Sequence, residues 1–233
     1  MAQIRPRLLT KNASTTDATT YTTASVSPTT TGIPLSAGLA TRSSAAPDTP
    51  TCAGTNAFSG TWTSVGTITR GTIRLTVFRS TAQSTTAGTI TATHSNTMLT
   101  GAWSLVEVAN LSSATPVQSK TEDLGTAIFN FDADALAAWT SPHNSMLMFV
   151  ARNHAGDQNV DETTGRAMGV GQTATAVTEA LACRAFFYPG ELTSPAATGT
   201  AADVVGLAME LSQDGTDISS GSSTNAFVPT FRV

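Results

Sequence analysis

The chain has 233 residues, 40% of them apolar and only 12% charged, with a formal net charge of −4. Such a length can bury a large core within one all-β domain, and the acidic balance argues against a general nucleic-acid binder, which needs a basic surface to release counterions. No run of about 18 apolar residues is present, so no membrane-spanning helix is expected.

Charged residues make up about a quarter of an average domain. Here threonine, 43 residues, fills much of that share. Its β-branched side chain suits strands and its hydroxyl suits turns, so the composition predicts an all-β protein.

From Met1 to about Ser14 the chain is basic (Arg5, Arg7, Lys11), contains Pro6 and has no usable periodicity. It reads as an arm outside the domain. It lacks the apolar segment of a secretory signal, so none is expected. Alternation begins at Thr19–Ser27, the first expected strand, and residues 28–34 form a turn. Leu35–Arg42 is a weaker strand. Residues 43–60, with Pro47, Pro50, Gly54 and Gly60, read as a long loop. Thr61–Thr69 alternates again, with Trp62 and Ile68 on one side.

Three runs follow, Gly71–Ser80, Gly88–His94 and Asn96–Leu111. In the first, Ile73, Leu75 and Val77 share one side and Arg74, Thr76 and Phe78 the other, the period of a half-buried strand. The third is apolar on both sides, with Leu99, Trp103 and Leu105 against Ala102, Val106 and Val108. It reads as a central strand covered on both faces. Together the three runs predict an antiparallel meander at the heart of a sandwich.

Further on, Thr126–Phe131 is an expected strand and Asp132–Trp139 a short Ala-rich helix capped by Asp132 or Asp134. Met146–Arg152 reads as a buried strand, 153–172 as a polar loop, and Thr173–Thr178 and Leu181–Tyr188 as two more runs. Val204–Leu211 is the last core strand. The plan is one antiparallel, jelly-roll-like β-sandwich over 15–212, with extended arms: 1–14, and a linker and apolar tail over 213–233. No internal repeat of fixed period is visible.

Few residues point to chemistry. Asp157, Asn159 and Asp161 alternate like the start of a calcium loop, but Glu162 stands where an EF-hand turn needs glycine and Met168 where it needs a bidentate carboxylate. A solvated loop is the reading, with no metal or cofactor expected. His94, His143 and His154 lie in separate segments without metal-ligand spacing, and no nucleophile elbow is present. Ala167–Gly171 lacks the Lys-Ser/Thr of a phosphate loop. Phe186, Phe187 and Tyr188 read as core more readily than as a sugar platform. Glycoside hydrolysis needs two facing carboxylates. Glu107 and Glu210, each inside an apolar run, are the pair to weigh, and the simpler expectation is that each points outward or meets an arginine such as Arg74 or Arg184. Cys52 and Cys183 have no CxxC spacing and read as free thiols.

The order of segments carries one likeness. Asp17–Pro28 (DATTYTTASVSP), Thr61–Val65 (TWTSV), Ile73–Phe78 (IRLTVF), Ala87–Ile90 (AGTI) and Ala102–Glu107 (AWSLVE), with Val117–Ser119 and the runs at Met146–Arg152 and Val204–Glu210, follow one another as in the β-sandwich structural proteins of tailed bacteriophages, which the chain resembles over about Asp17 to Ser212. The resemblance implies a tail- or capsid-associated virion component, assembled in the host cytoplasm, with no catalytic residue to carry over. Its expected partners are other virion proteins and further copies of itself, with no specific nucleic acid and no membrane. Arg5, Arg7 and Lys11 in one arm and Phe227, Val228 and Phe231 in the other are the expected contacts, because apolar residues beyond a polar linker should rest on a surface. Sheet edges are a further means of attachment. The alternative is a carbohydrate-binding adhesion module on the particle surface, with a glycan as partner. An enzyme is not expected.

Overall fold

The computed structural model describes residues 4–125, 129–130, 144–154, 161–162, 166–172, 180–188, 196–198 and 203–213. The expected helix at 132–139, the run at 173–178 and the tail from 214 onward lie outside the described residues.

Among the described residues the chain forms antiparallel sheets, as its composition predicts. The first eight strands are β1 (Arg5–Ser14), β2 (Ala18–Thr22), β3 (Pro34–Arg42), β4 (Thr51–Gly54), β5 (Thr63–Arg70), β6 (Ile73–Thr81), β7 (Ile90–Met98) and β8 (Thr100–Ala109). The next eight are β9 (Gln118–Gly125), β10 (Phe129–Asn130), β11 (Ser145–His154), β12 (Asp161–Glu162), β13 (Arg166–Gln172), β14 (Ala180–Tyr188), β15 (Ala196–Thr198) and β16 (Asp203–Leu211).

The first eight strands make a five-stranded sheet, β1-β8-β3-β6-β5, and a three-stranded one, β2-β7-β4. The second eight make β13-β14-β11-β16-β9 and β10-β15-β12. Numbered one to eight within each half, with β9 as the second half's first strand, both large sheets run 1-8-3-6-5 and both small ones 2-7-4. The chain therefore holds two copies of one jelly-roll-like topology of eight strands and two sheets.

The two five-stranded sheets pack face to face. Alternation decides what lies between them: Ile73, Leu75, Val77, Ala102, Val106 and Val108 from one sheet meet Leu147, Phe149, Cys183, Val205, Leu207 and Met209 from the other. The opposite face of the first sheet is covered too. Leu35, Ala37, Phe78 and Leu105 pack with Phe58 and Ile90, and Leu39 and Trp103 pack with Tyr21, Ala92 and Met98 of the small sheet. β8 is thus buried along both faces, as its unbroken apolar run predicts, and its Trp103 is core.

Four expectations change. The three runs of the expected meander do not pair in sequence: β3 lies between β6 and β8, and β7 belongs to the small sheet. Alternation shows that a strand exists but not which strand it pairs with, and the jelly-roll connections pass over neighbours in sequence. The loop expected over 43–60 contains β4 and a 3-10 turn at Asn56–Phe58 with Phe58 fully buried. The polar loop expected over 153–172 contains β12 and β13.

The largest difference concerns the first arm. Arg5–Ser14 is an edge strand paired along its length with β8. A bulge between Leu8 and Thr10 hides its periodicity. Ile4 and Leu8 face the inner core before the bulge, Leu9 packs on the other side, and Ala13 faces the inner core after it. The inward set switches from even to odd positions, so no single two-residue period runs through the segment.

Candidate functional site: two buried carboxylates

An acidic residue inside an apolar strand must find donors, because a bare buried carboxylate is too costly to keep. Among the described residues two stand so, Glu107 in β8 and Glu210 in β16, both almost wholly buried.

Glu107 stands between Arg7 of β1 and Leu35 of β3 in the ladder. Arg7 donates its Nε–H to Oε1. Thr29 donates its backbone N–H to Oε2 at 2.9 Å and its hydroxyl to Oε1 at 3.0 Å. The Arg7 Nη2 also donates to the Ser27 carbonyl at 3.2 Å, tying the same stretch of chain to β1. Burial alone would raise the Glu107 pKa, but the donors from Arg7 and Thr29 outweigh it and hold the group below the usual carboxylate range.

Glu210 occupies the same place in the second half. It stands between Gln118 of β9 and Met146 of β11, that is, between the first and third strands of its own half. Gln118 donates its amide to Oε2 at 2.5 Å and Asn144 donates its amide to Oε1 at 2.5 Å. In each half the glutamate of strand eight is met by the residue directly across from it on strand one and by a residue of the segment leading into strand three. It clamps that segment to the sheet.

This geometry is unsuited to glycoside hydrolysis. Val106 and Val108 point from β8 toward the second sheet, so Glu107 points away from it. Met209 and Leu211 point from β16 toward the first sheet, so Glu210 points away as well. The two carboxylates face in opposite directions across two packed sheets and cannot flank one bond. Glu107 does meet an arginine, as expected, but the partner is Arg7 of β1 and not Arg74. Arg74 donates to the Thr49 hydroxyl, and the Arg184 guanidinium sits 5.2 Å from the centre of the Phe186 ring.

A third carboxylate has a similar role. Asp48 hydrogen-bonds His94 Nδ1 at 2.9 Å and accepts from the Ser95 backbone N–H at 2.5 Å, the Ser95 hydroxyl and the Asn96 N–H at 3.3 Å. Burial would raise its pKa, yet the bonds from Ser95 and His94 carry it down to about 2. Although Asp, His and Ser lie together, the serine hydroxyl bonds the carboxylate and not the imidazole, so the three are not arranged as a Ser-His-Asp triad. The cluster pins residues 43–50 to the end of β7.

The remaining expected site residues are dispersed. Arg5 and Lys11 are exposed on β1. Asp157 and Asn159 lie outside the described residues, and Asp161 pairs with Thr198 in the β12–β15 ladder. Phe227, Val228 and Phe231 lie outside the described residues. Among the described residues no group of three metal-binding side chains occurs, and Val117 is the large apolar side chain left exposed. Phe186 and Phe187 are core. Cys52 and Cys183 are free, and burial pushes both thiols up to about 12. Sequence reasoning found the two glutamates but not their donors Thr29, Gln118 and Asn144, which are set by pairing across the sheet. No protein-family model, curated protein or solved structure matches the chain.

Proposed function

We propose that the chain is a non-enzymatic structural protein of a tailed-phage particle, attached to tail or capsid surface and present in several copies. One observation carries this reading: the two carboxylates buried in the large sheets, Glu107 and Glu210, are engaged in holding the fold, each clamping strand eight to strand one and to the approach of strand three. Two further points support it. The jelly roll is an architecture used for capsid and lectin modules, and the order of segments resembles that of phage structural proteins.

Attachment in this reading is electrostatic and polar in character. β1 exposes Arg5 and Lys11 toward a neighbour, while Pro6, Lys11 and the bulge guard its edge against indiscriminate strand addition. Glycan binding is the competing reading, and no exposed aromatic platform among the described residues favours it. A glycan array and a reducing-sugar assay on cell-wall polysaccharide test the proposal together. The expectation is background signal in both. Specific glycan capture would move the chain to the adhesion class, and released sugar would make it an enzyme.

A further inference from the structure

The two halves share more than strand order, because their registers match as well. Glu107 faces Leu35 on β3 and Glu210 faces Met146 on β11, which aligns Leu35 with Met146. Counting on, Ala37 aligns with Met148, and their partners Phe78 and Phe186 coincide. β5 bulges between the partners of Phe78 and Val77, and β13 bulges between the partners of Phe186 and Ala185, the same place in each half. In both, glycine follows the bulged residue: Gly66 and Gly169.

The packing of one half on the other is reciprocal. β1 lies against β13 and β5 against β9; β8 lies against β14 and β6 against β16; β3 lies against β11. In the numbering within each half, strand one meets five, eight meets six, and three meets three. These contacts match their counterparts, the mark of an isologous two-fold interface with its axis through the third strands.

Equivalent residues meet one another at such an axis. Gly38 and Phe149 are equivalent, each three residues beyond the aligned Leu35 and Met146, and they do meet. A β-carbon on Gly38 would lie 2.2 Å from Phe149 Cδ1. Two phenylalanines here would collide, and two glycines would leave a void the size of a phenyl ring.

We propose that the face between the large sheets is a subunit-type interface held within one chain, and that Gly38 and Phe149 are a lock across its pseudo-two-fold axis. The lock admits one ring only, so it joins a first half to a second half and bars a second half from pairing with its like. The surroundings suit either arrangement. Gly38 is flanked by Val77 and Ser104, and Phe149 by Ala185 and Leu207, sets of similar combined bulk.

The test is a swap in the full chain. Gly38→Phe alone and Phe149→Gly alone should each lower the melting temperature by about 10 °C or more, through collision and cavity respectively. The combined G38F/F149G variant should regain more than half of the summed loss, because it moves the ring to the equivalent side of the axis. Additive losses would overturn the proposal. Should Gly38→Phe not fold, Gly38→Ala with and without Phe149→Leu asks the same question. Relief of the alanine's effect by the smaller partner is expected, and simple addition again refutes the lock.

Discussion

Arg7 lies directly across the β1–β8 ladder from Glu107 and donates its Nε–H to that buried carboxylate. A basic residue expected to reach for an acidic neighbour is thus engaged within its own chain. The pairing joins an edge strand to a central one and also fixes Thr29, so it holds three separate segments at one point.

Arg7→Ala should therefore destabilise the protein. The Arg7 side chain is half exposed, so water reaches one side of the pair, and the cost expected is about 1–3 kcal/mol. Adding Glu107→Gln should cost less than in the wild-type background, because the charge left without its cation is then removed. Urea unfolding of the four-protein cycle measures this, and strictly additive losses would show that the pair does not interact.

Deleting residues 1–14 should abolish cooperative folding. The truncation strips Ile4 and Leu8 from the inner core and turns β8 into an exposed edge. Circular dichroism melting of the truncated protein decides the matter, and an unchanged melting temperature would restore the segment to the status of a detachable arm.

Acid should weaken the fold through Asp48. Its pKa drops from 3.8 to about 2 in the folded protein, so unfolding takes up protons. The stabilisation is fully present above about pH 4 and is lost as pH falls toward 2. Asp48→Asn should lower stability at neutral pH and flatten this part of the pH profile. A profile as steep as that of the wild type would assign the acid response to other carboxylates.

Trp103→Ala should cost about 3–5 kcal/mol by opening a cavity between the first large sheet and its small one. Both thiols should stay unreactive toward a thiol reagent at neutral pH until denaturant is added, because burial keeps them protonated. Rapid labelling of Cys183 in the native state would contradict its place in the core.

Much of this architecture is legible in the amino-acid order. The period of Ile73, Leu75 and Val77, and the two-sided apolar run around Trp103, announce strands and their burial correctly. What is not legible depends on pairing between distant segments. The bulge in β1 hides a strand behind a shifted period, and the place of β3 between β6 and β8 leaves no mark on either neighbour. The duplication is hidden for a related reason. Few aligned positions keep one residue, among them Gly66 with Gly169, Phe78 with Phe186 and Glu107 with Glu210. Layer packing asks only for apolar side chains of compatible bulk, so the rest have diverged. Glu107 and Glu210 stand out because a buried charge cannot be exchanged freely. Their isolation within apolar runs was readable, whereas their donors were not.

In the function proposed above, this chain helps to build a particle and does not act on a substrate. Quantitative mass spectrometry of density-gradient-purified particles, from a lysate of cells carrying its gene, tests it most directly. A fixed copy number per particle is expected, in constant ratio to the other structural proteins across the gradient peak. Recovery of the chain in the soluble fraction alone, with none in the particle peak, would contradict it.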